Sequence, residues 1–195
     1  NNTTTGSGGG VIVGADRDNI FNMYDGTISG NTTSGSGGGV FVDYGTFNMY
    51  GGTITGNTAN VEGGGVFVNG YGTFNLQDGT ISNNKSTASK NISYQYGGGG
   101  VYSNGHLYLS GGTITGNTAT ADGNGVFVRS GSVTLSRNVQ IKDNTQSNLY
   151  LYGGAAFTVG DLNSKASIGV KTSSALAEND IVKIATGATG KDVTG

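Results

Sequence analysis

The chain has 195 residues, 39 of them glycine and none proline or cysteine, with a formal net charge of −2. Glycine at that level without proline excludes collagen, and so few charges leave no basic surface for nucleic acid or anionic lipid. Without cysteine there is neither a disulfide framework nor a thiolate metal site, and no apolar run is long enough to be a membrane-spanning helix.

From Gly8 onward one phrase returns in edited form. Its clearest copy is Gly37 to Ala59, with three apolar-alternating runs (Val40-Phe41-Val42, Phe47-Asn48-Met49 and Thr53-Ile54-Thr55) between glycine-rich corners. The leading valines Val11, Val40, Val66, Val101 and Val126 step by 29, 26, 35 and 25 residues. The third-run isoleucines Ile28, Ile54, Ile81, Ile114 and Ile141 step by 26, 27, 33 and 27. Such a period indicates a solenoid or a propeller. Helical repeats are excluded, because apolar residues never recur at helical spacing and glycine interrupts too often.

The pattern predicts an all-β fold, a right-handed single-stranded parallel β-helix of about 26 residues per coil with three short strands in each. Alternation places one set of side chains inward. In the second coil these are Val40, Val42, Phe47, Met49 and Ile54; in the third, Val66, Val68, Phe74, Leu76 and Ile81. The fourth contributes Val101, Leu107, Leu109 and Ile114, and the fifth Val126, Val128, Val133, Leu135 and Ile141. Coils stacked at about 4.8 Å join these into one apolar column that no single coil could bury.

The corners fit this register. Before each third strand come Asp25-Gly26, Gly51-Gly52, Asp78-Gly79, Gly111-Gly112 and Asn138-Val139, and the first residue of each pair is expected to be left-handed. After the third strand, Asn31, Asn57, Asn84, Asn117 and Asn144 recur in every coil. Stacked, they predict an amide ladder that satisfies corner backbone groups. Two coils are lengthened, at Gly14 to Asn19 and within Lys85 to Tyr96. Solenoids place such insertions on loops, where function often resides.

After Asn144 the pattern decays. Leu149 to Leu151 and Ala156 to Val159 read as a shortened sixth coil, with Ile168-Gly169-Val170 as its third strand. Residues 1–170 are therefore assigned to the β-helix, and 171–195 to a C-terminal cap or a junction with a following domain, with a strand at Asp180 to Ile184. Both chain ends fall in mid-pattern, so the chain reads as an excerpt from a longer protein.

The coil heads, such as Gly37-Gly38-Gly39-Val40 and Gly123-Asn124-Gly125-Val126, and the coil ends, Ile54 to Asn57 and equivalents, carry a resemblance. They resemble the G-G-A/G-I/V and F-x-x-N signatures of polymorphic outer-membrane-protein repeats. They are similar also to the pectate-lyase-like β-helix repeats of adhesin-like microbial surface proteins. Isoleucine replaces the phenylalanine of F-x-x-N in all five coils. The resemblance implies an extracellular or cell-surface location and a β-helix, a fold that carries lyases, tailspikes and adhesins alike.

No catalytic constellation, metal site or cofactor is predicted. The acids are scattered; Asp16 and Asp18, flanking Arg17, form the one local pair, and His106 stands without a carboxylate or second histidine. Two outward columns remain. Ile12, Phe41, Phe67, Tyr102 and Phe127 are each the middle residue of a first strand, and would either stack under a cover or form a glycan- or protein-binding stripe. The insertion borders that column, so the candidate ligand-binding residues are Phe41, Phe67, Tyr102, Phe127, Lys85, Lys90, Asn91, Tyr94 and Tyr96. Within the insertion, Tyr94 and Tyr96 either lid the column or wall a groove beside it. The second column pair, Thr27/Ser29, Thr53/Thr55, Thr80/Ser82 and Thr113/Thr115, resembles the flat threonine face of ice-binding solenoids, and Gln140/Lys142 breaks it.

The expected role is a non-catalytic, rigid extracellular segment of an adhesin-like protein, a spacer and scaffold whose partner is a glycan or surface protein. It would bind no nucleic acid, enter no membrane and be monomeric. A polysaccharide lyase or hydrolase is the first alternative, and ice binding the second.

Overall fold

The computed structural model describes residues 1–14, 16–88 and 97–172. They form a parallel β-solenoid of about six turns, with about 27 residues per turn and no helix among the described residues. The predicted registers are realised: Val40, Val66, Val101 and Val126 pair in sequence, as do Phe47, Phe74 and Leu107, and Ile54, Ile81 and Ile114.

Each of the first four coils has four strands where three were expected, while the fifth and sixth have three. In the second coil they are Val40–Val42, Thr46–Met49, Thr53–Thr55 and Thr58–Ala59, which belong to the first, second, third and fourth sheets respectively. The fourth sheet is built from two-residue strands: Thr3–Thr4, Thr32–Thr33, Thr58–Ala59, Lys85–Ser86 and Thr118–Ala119. Two residues are too few to display a period, and the inward ones (Thr33, Ala59, Ser86, Ala119) are small or hydroxylic rather than apolar.

Every inward residue predicted for the second to fifth coils is buried. In the first coil Val13 and Met23 are buried, whereas Val11, Phe21 and Ile28 are only partly covered, because that coil has a neighbour on one side alone among the described strands.

The corner before the third strand differs from expectation. The left-handed residue is the second of each pair, at Gly26, Gly52, Gly79 and Gly112, with φ of 95°, 82°, 101° and 72°. Asp25 and Asp78 stay right of that region and accept the following glycine N–H on Oδ1 at 2.7 Å. The fifth coil has Val139 at that position, where a β-branched side chain opposes positive φ. There Arg137 turns left-handed instead (φ 55°), and the register shifts between Leu135 and Arg137.

The sixth coil comprises Leu149–Leu151, Ala156–Leu162 and Ser167–Ile168. Val170–Thr172 then pairs with Leu149–Leu151 as a further rung of the first sheet. A boundary drawn at residue 170 therefore cuts a strand; residues 173–195, including the strand expected at Asp180 to Ile184, lie outside the described residues.

Candidate functional site

The asparagine ladder is present and longer than its five predicted members. Asn31 donates its backbone N–H and Nδ2 to Oδ1 of Asn57 at 3.0 and 2.8 Å. Asn57 does the same to Asn84, Asn84 to Asn117, and Asn117 to Asn144. The second Nδ2 proton returns to an isoleucine carbonyl of the preceding coil: Asn57 to Ile28, Asn84 to Ile54, Asn117 to Ile81, and Asn144 to Ile114. Each interior amide thus closes a corner that no strand pairs, which explains why the same side chain recurs. Asn2 begins the ladder by donating to Asn31, and Asn148 ends it by accepting from Asn144. Asn148 lies four residues from Asn144 rather than one coil away, so periodicity could not flag it.

The first-sheet aromatic column is a continuous stack, and much of it is closed to solvent. Phe41, Phe67, Tyr102, Phe127 and Tyr150 follow one another at centroid separations of 5.0 to 5.5 Å. Tyr102 and Phe127 are 0 % exposed, Phe67 and Tyr150 are buried, and Phe41 is partly covered; Ile12 alone is open. A glycine corner packs against each ring-bearing residue from Phe41 to Phe127. Gly37, Gly63, Gly98 and Gly123 all have positive φ, and each bends the preceding chain back against the ring-bearing residue. A Cβ at Gly98 would stand 2.6 Å from Cβ of Tyr102. Pointing away from the interior is therefore not the same as being exposed. No open ring face at Tyr102 or Phe127 awaits a sugar, so of the readings for this column the covered stack fits the geometry.

Of the other predicted ligand residues, Lys85 falls among the described residues. Lys85 is exposed on the fourth sheet, in register with Thr58 and Thr118. Lys90, Asn91, Tyr94 and Tyr96 lie outside the described residues. The threonine rows of the third sheet are in register as read, and Ser82 Oγ donates to Thr55 Oγ1 at 3.2 Å.

Sequence reasoning missed the outward side of the second sheet. Tyr24 stacks on Tyr50 at 4.9 Å, and Tyr44 on Tyr71 at 5.1 Å, with the Arg17 guanidinium over Tyr71. Between the pairs runs a second amide ladder, in which Asn48 donates to Asn22 at 2.8 Å and Asn75 to Asn48 at 2.7 Å. The signal was there: Tyr44, Thr46, Asn48 and Tyr50 share one parity, which is the side opposite Phe47 and Met49.

Two titratable features complete the surface. Glu62 is pushed above the ordinary carboxylate range by burial, opposed by the hydrogen bond from Ser36 Oγ (2.8 Å) and by the positive charge of Arg129. His106 Nδ1 lies 2.9 Å from Ser132 Oγ on the exposed second sheet. Among the described residues no group of three or more His, Cys, Asp or Glu side chains is placed to hold a metal ion.

Compared with known proteins, the chain matches no family model, no curated protein sequence and no solved structure.

Proposed function

We propose that the chain is a non-catalytic, rigid segment of an adhesin-like protein on a microbial surface, serving as spacer and scaffold outside the cell. The observation that carries this reading is the unbroken asparagine ladder from Asn2 to Asn148, which ties every described coil to the next. Six turns at about 4.8 Å make a stack about 29 Å long whose exposed outward positions are free to vary. The coil heads and coil ends resembling adhesin-like surface repeats support the same role. A glycan or surface protein is the expected partner.

Incubation with pectin-like polymers, with and without calcium, tests this against the lyase or hydrolase alternative. The expected result is no change in polymer length or unsaturated product, and turnover would overturn the reading. The registered threonine rows favour ice binding as a second reading, and measurable thermal hysteresis would establish it.

A further inference from the structure

Among the described residues, the large apolar side chains that stand exposed are Ile12, Ile20, Tyr24, Tyr44, Tyr50, Tyr71 and Tyr108. All but Ile12 lie on the outward side of the second sheet or at its two edges. This concentration sets one face of the solenoid apart from the others. We propose that this face binds a neutral linear glycan, held at its ends by the Tyr24/Tyr50 and Tyr44/Tyr71 ring pairs and between them by the outer asparagine ladder. The proposal rests on the scaffold reading and gives it a ligand class.

The chemistry selects the occupant. A tyrosine presents an apolar ring with a hydroxyl that stays wet, which suits a sugar with a C–H face and polar rim. Tyr24 is 69 % exposed and Tyr71 58 %, so ring surface is available that Tyr102 and Phe127 do not offer. In the ladder each internal bond uses one N–H and one lone pair of an amide. By count, Asn48 keeps a second N–H and a second lone pair at its oxygen for a ligand's hydroxyls.

Charge narrows the choice. The positions between the ring pairs, Ile20, Asn22, Thr46, Asn48, Thr73 and Asn75, carry none. Uncharged strand positions match an uncharged ligand; an acidic polymer would meet Arg17 over Tyr71 but also Asp25 and Asp43, which adjoin Tyr24 and Tyr44 in the chain. The rings are split by a polar amide band rather than fused into an apolar patch, which is unlike the core of a protein interface. From Tyr44 to Tyr50 an extended chain covers about 20 Å at most, so a polymer of several sugar rings, and not a monosaccharide, would reach both pairs.

The test uses the full chain on an array of neutral linear β-glucans, xylans, mannans and galactans beside their uronic-acid counterparts. Tyr24→Ala/Tyr50→Ala and Tyr44→Ala/Tyr71→Ala are compared with the parent, with thermal melts confirming that each double variant folds. The expected result is binding to at least one neutral glycan, weakened tenfold or more by each double variant at little cost in Tm. Absence of binding to every neutral glycan overturns the proposal, as does binding only to uronic acids. Binding that survives both double variants places the site elsewhere and overturns it too, while leaving the scaffold reading standing. Cleavage of an arrayed polymer, by contrast, would sink the scaffold reading itself.

Discussion

Two asparagine ladders run along this solenoid, made of the same amide bond at the same spacing. Asn31 to Asn144 is buried, uses backbone as well as side-chain N–H groups, and leaves its corners nowhere else to turn. Asn22, Asn48 and Asn75 stand on an outer face, bonded side chain to side chain. The aromatic stacks repeat the contrast, with Tyr102 closed in and Tyr24 open. Removing a buried partner strands a desolvated group, whereas water replaces an exposed one at little cost. Identical contacts should therefore differ severalfold in worth, and five measurements can break or sharpen that expectation.

The largest effect should come from the interior. Val66→Asp would place a carboxylate between apolar layers that offer no partner, costing more than about 4 kcal/mol. Thr53→Lys, on the outward side of the third sheet, should cost less than about 1 kcal/mol. Denaturant unfolding that ranks the two in reverse would overturn the inward and outward assignment.

Next stands the buried stack. Tyr102 lies between Phe67 and Phe127 at 5.5 and 5.2 Å and is wholly enclosed. Truncation by Tyr102→Ala should cost about 3 to 5 kcal/mol, as for other large buried rings. A loss below about 1 kcal/mol would show that the column is solvated in solution, and would reopen it as a binding surface.

Asn57→Leu probes the ladder itself. It removes the acceptor for both N–H groups of Asn31, one of them backbone, at about 1 to 3 kcal/mol for each stranded group. Asn31→Leu strands groups of Asn2, which is exposed and can turn to water, so it should cost less. Equal losses at the two positions in chemical denaturation would mean that burial does not set the worth of a rung.

These rankings show which features were legible in the sequence. Val40, Phe47 and Ile54 recur at fixed spacing and alternate cleanly, so register and interior could be read directly. Asn57 and its equivalents were legible because one backbone geometry imposes one side chain in every coil. The fourth sheet was not, since Thr58–Ala59 is too short to show a period. The burial of Tyr102 was not either, because parity separates inward from outward positions and does not encode which outward positions are covered. The tyrosine face escaped for a third reason. Tyr24, Tyr50, Tyr44 and Tyr71 sit at strand ends and occur in only some coils, so no column drew attention to them.

Glu62 offers a smaller test of burial at the surface. Because burial raises its folded pKa above the unfolded value, the folded state holds its proton more tightly. Stability is then unaffected while both states are protonated, and falls as pH rises from the unfolded pKa through the raised one. Glu62→Gln should remove that decline. The Tm difference between variant and parent should be least in acid and shift in the variant's favour toward neutral pH. A difference that moves the opposite way would mean that the contacts with Ser36 and Arg129 outweigh desolvation.

The smallest effect belongs to Asn48→Ala. It breaks both bonds of the outer ladder, yet the groups it releases on exposed Asn22 and half-buried Asn75 lie on the outer face and can take up water. Exposed substitutions of this kind shift stability by less than about 0.5 kcal/mol. On that outcome the outer ladder contributes little to stability, and its bonds serve to hold amides in one orientation on the outer face. Unfolding of Asn48→Ala beside Asn57→Leu decides the matter. A near-zero loss at Asn48 leaves ligand binding as the ladder's role; a loss comparable to that at Asn57 would make it a second structural spine and remove a support from the glycan proposal.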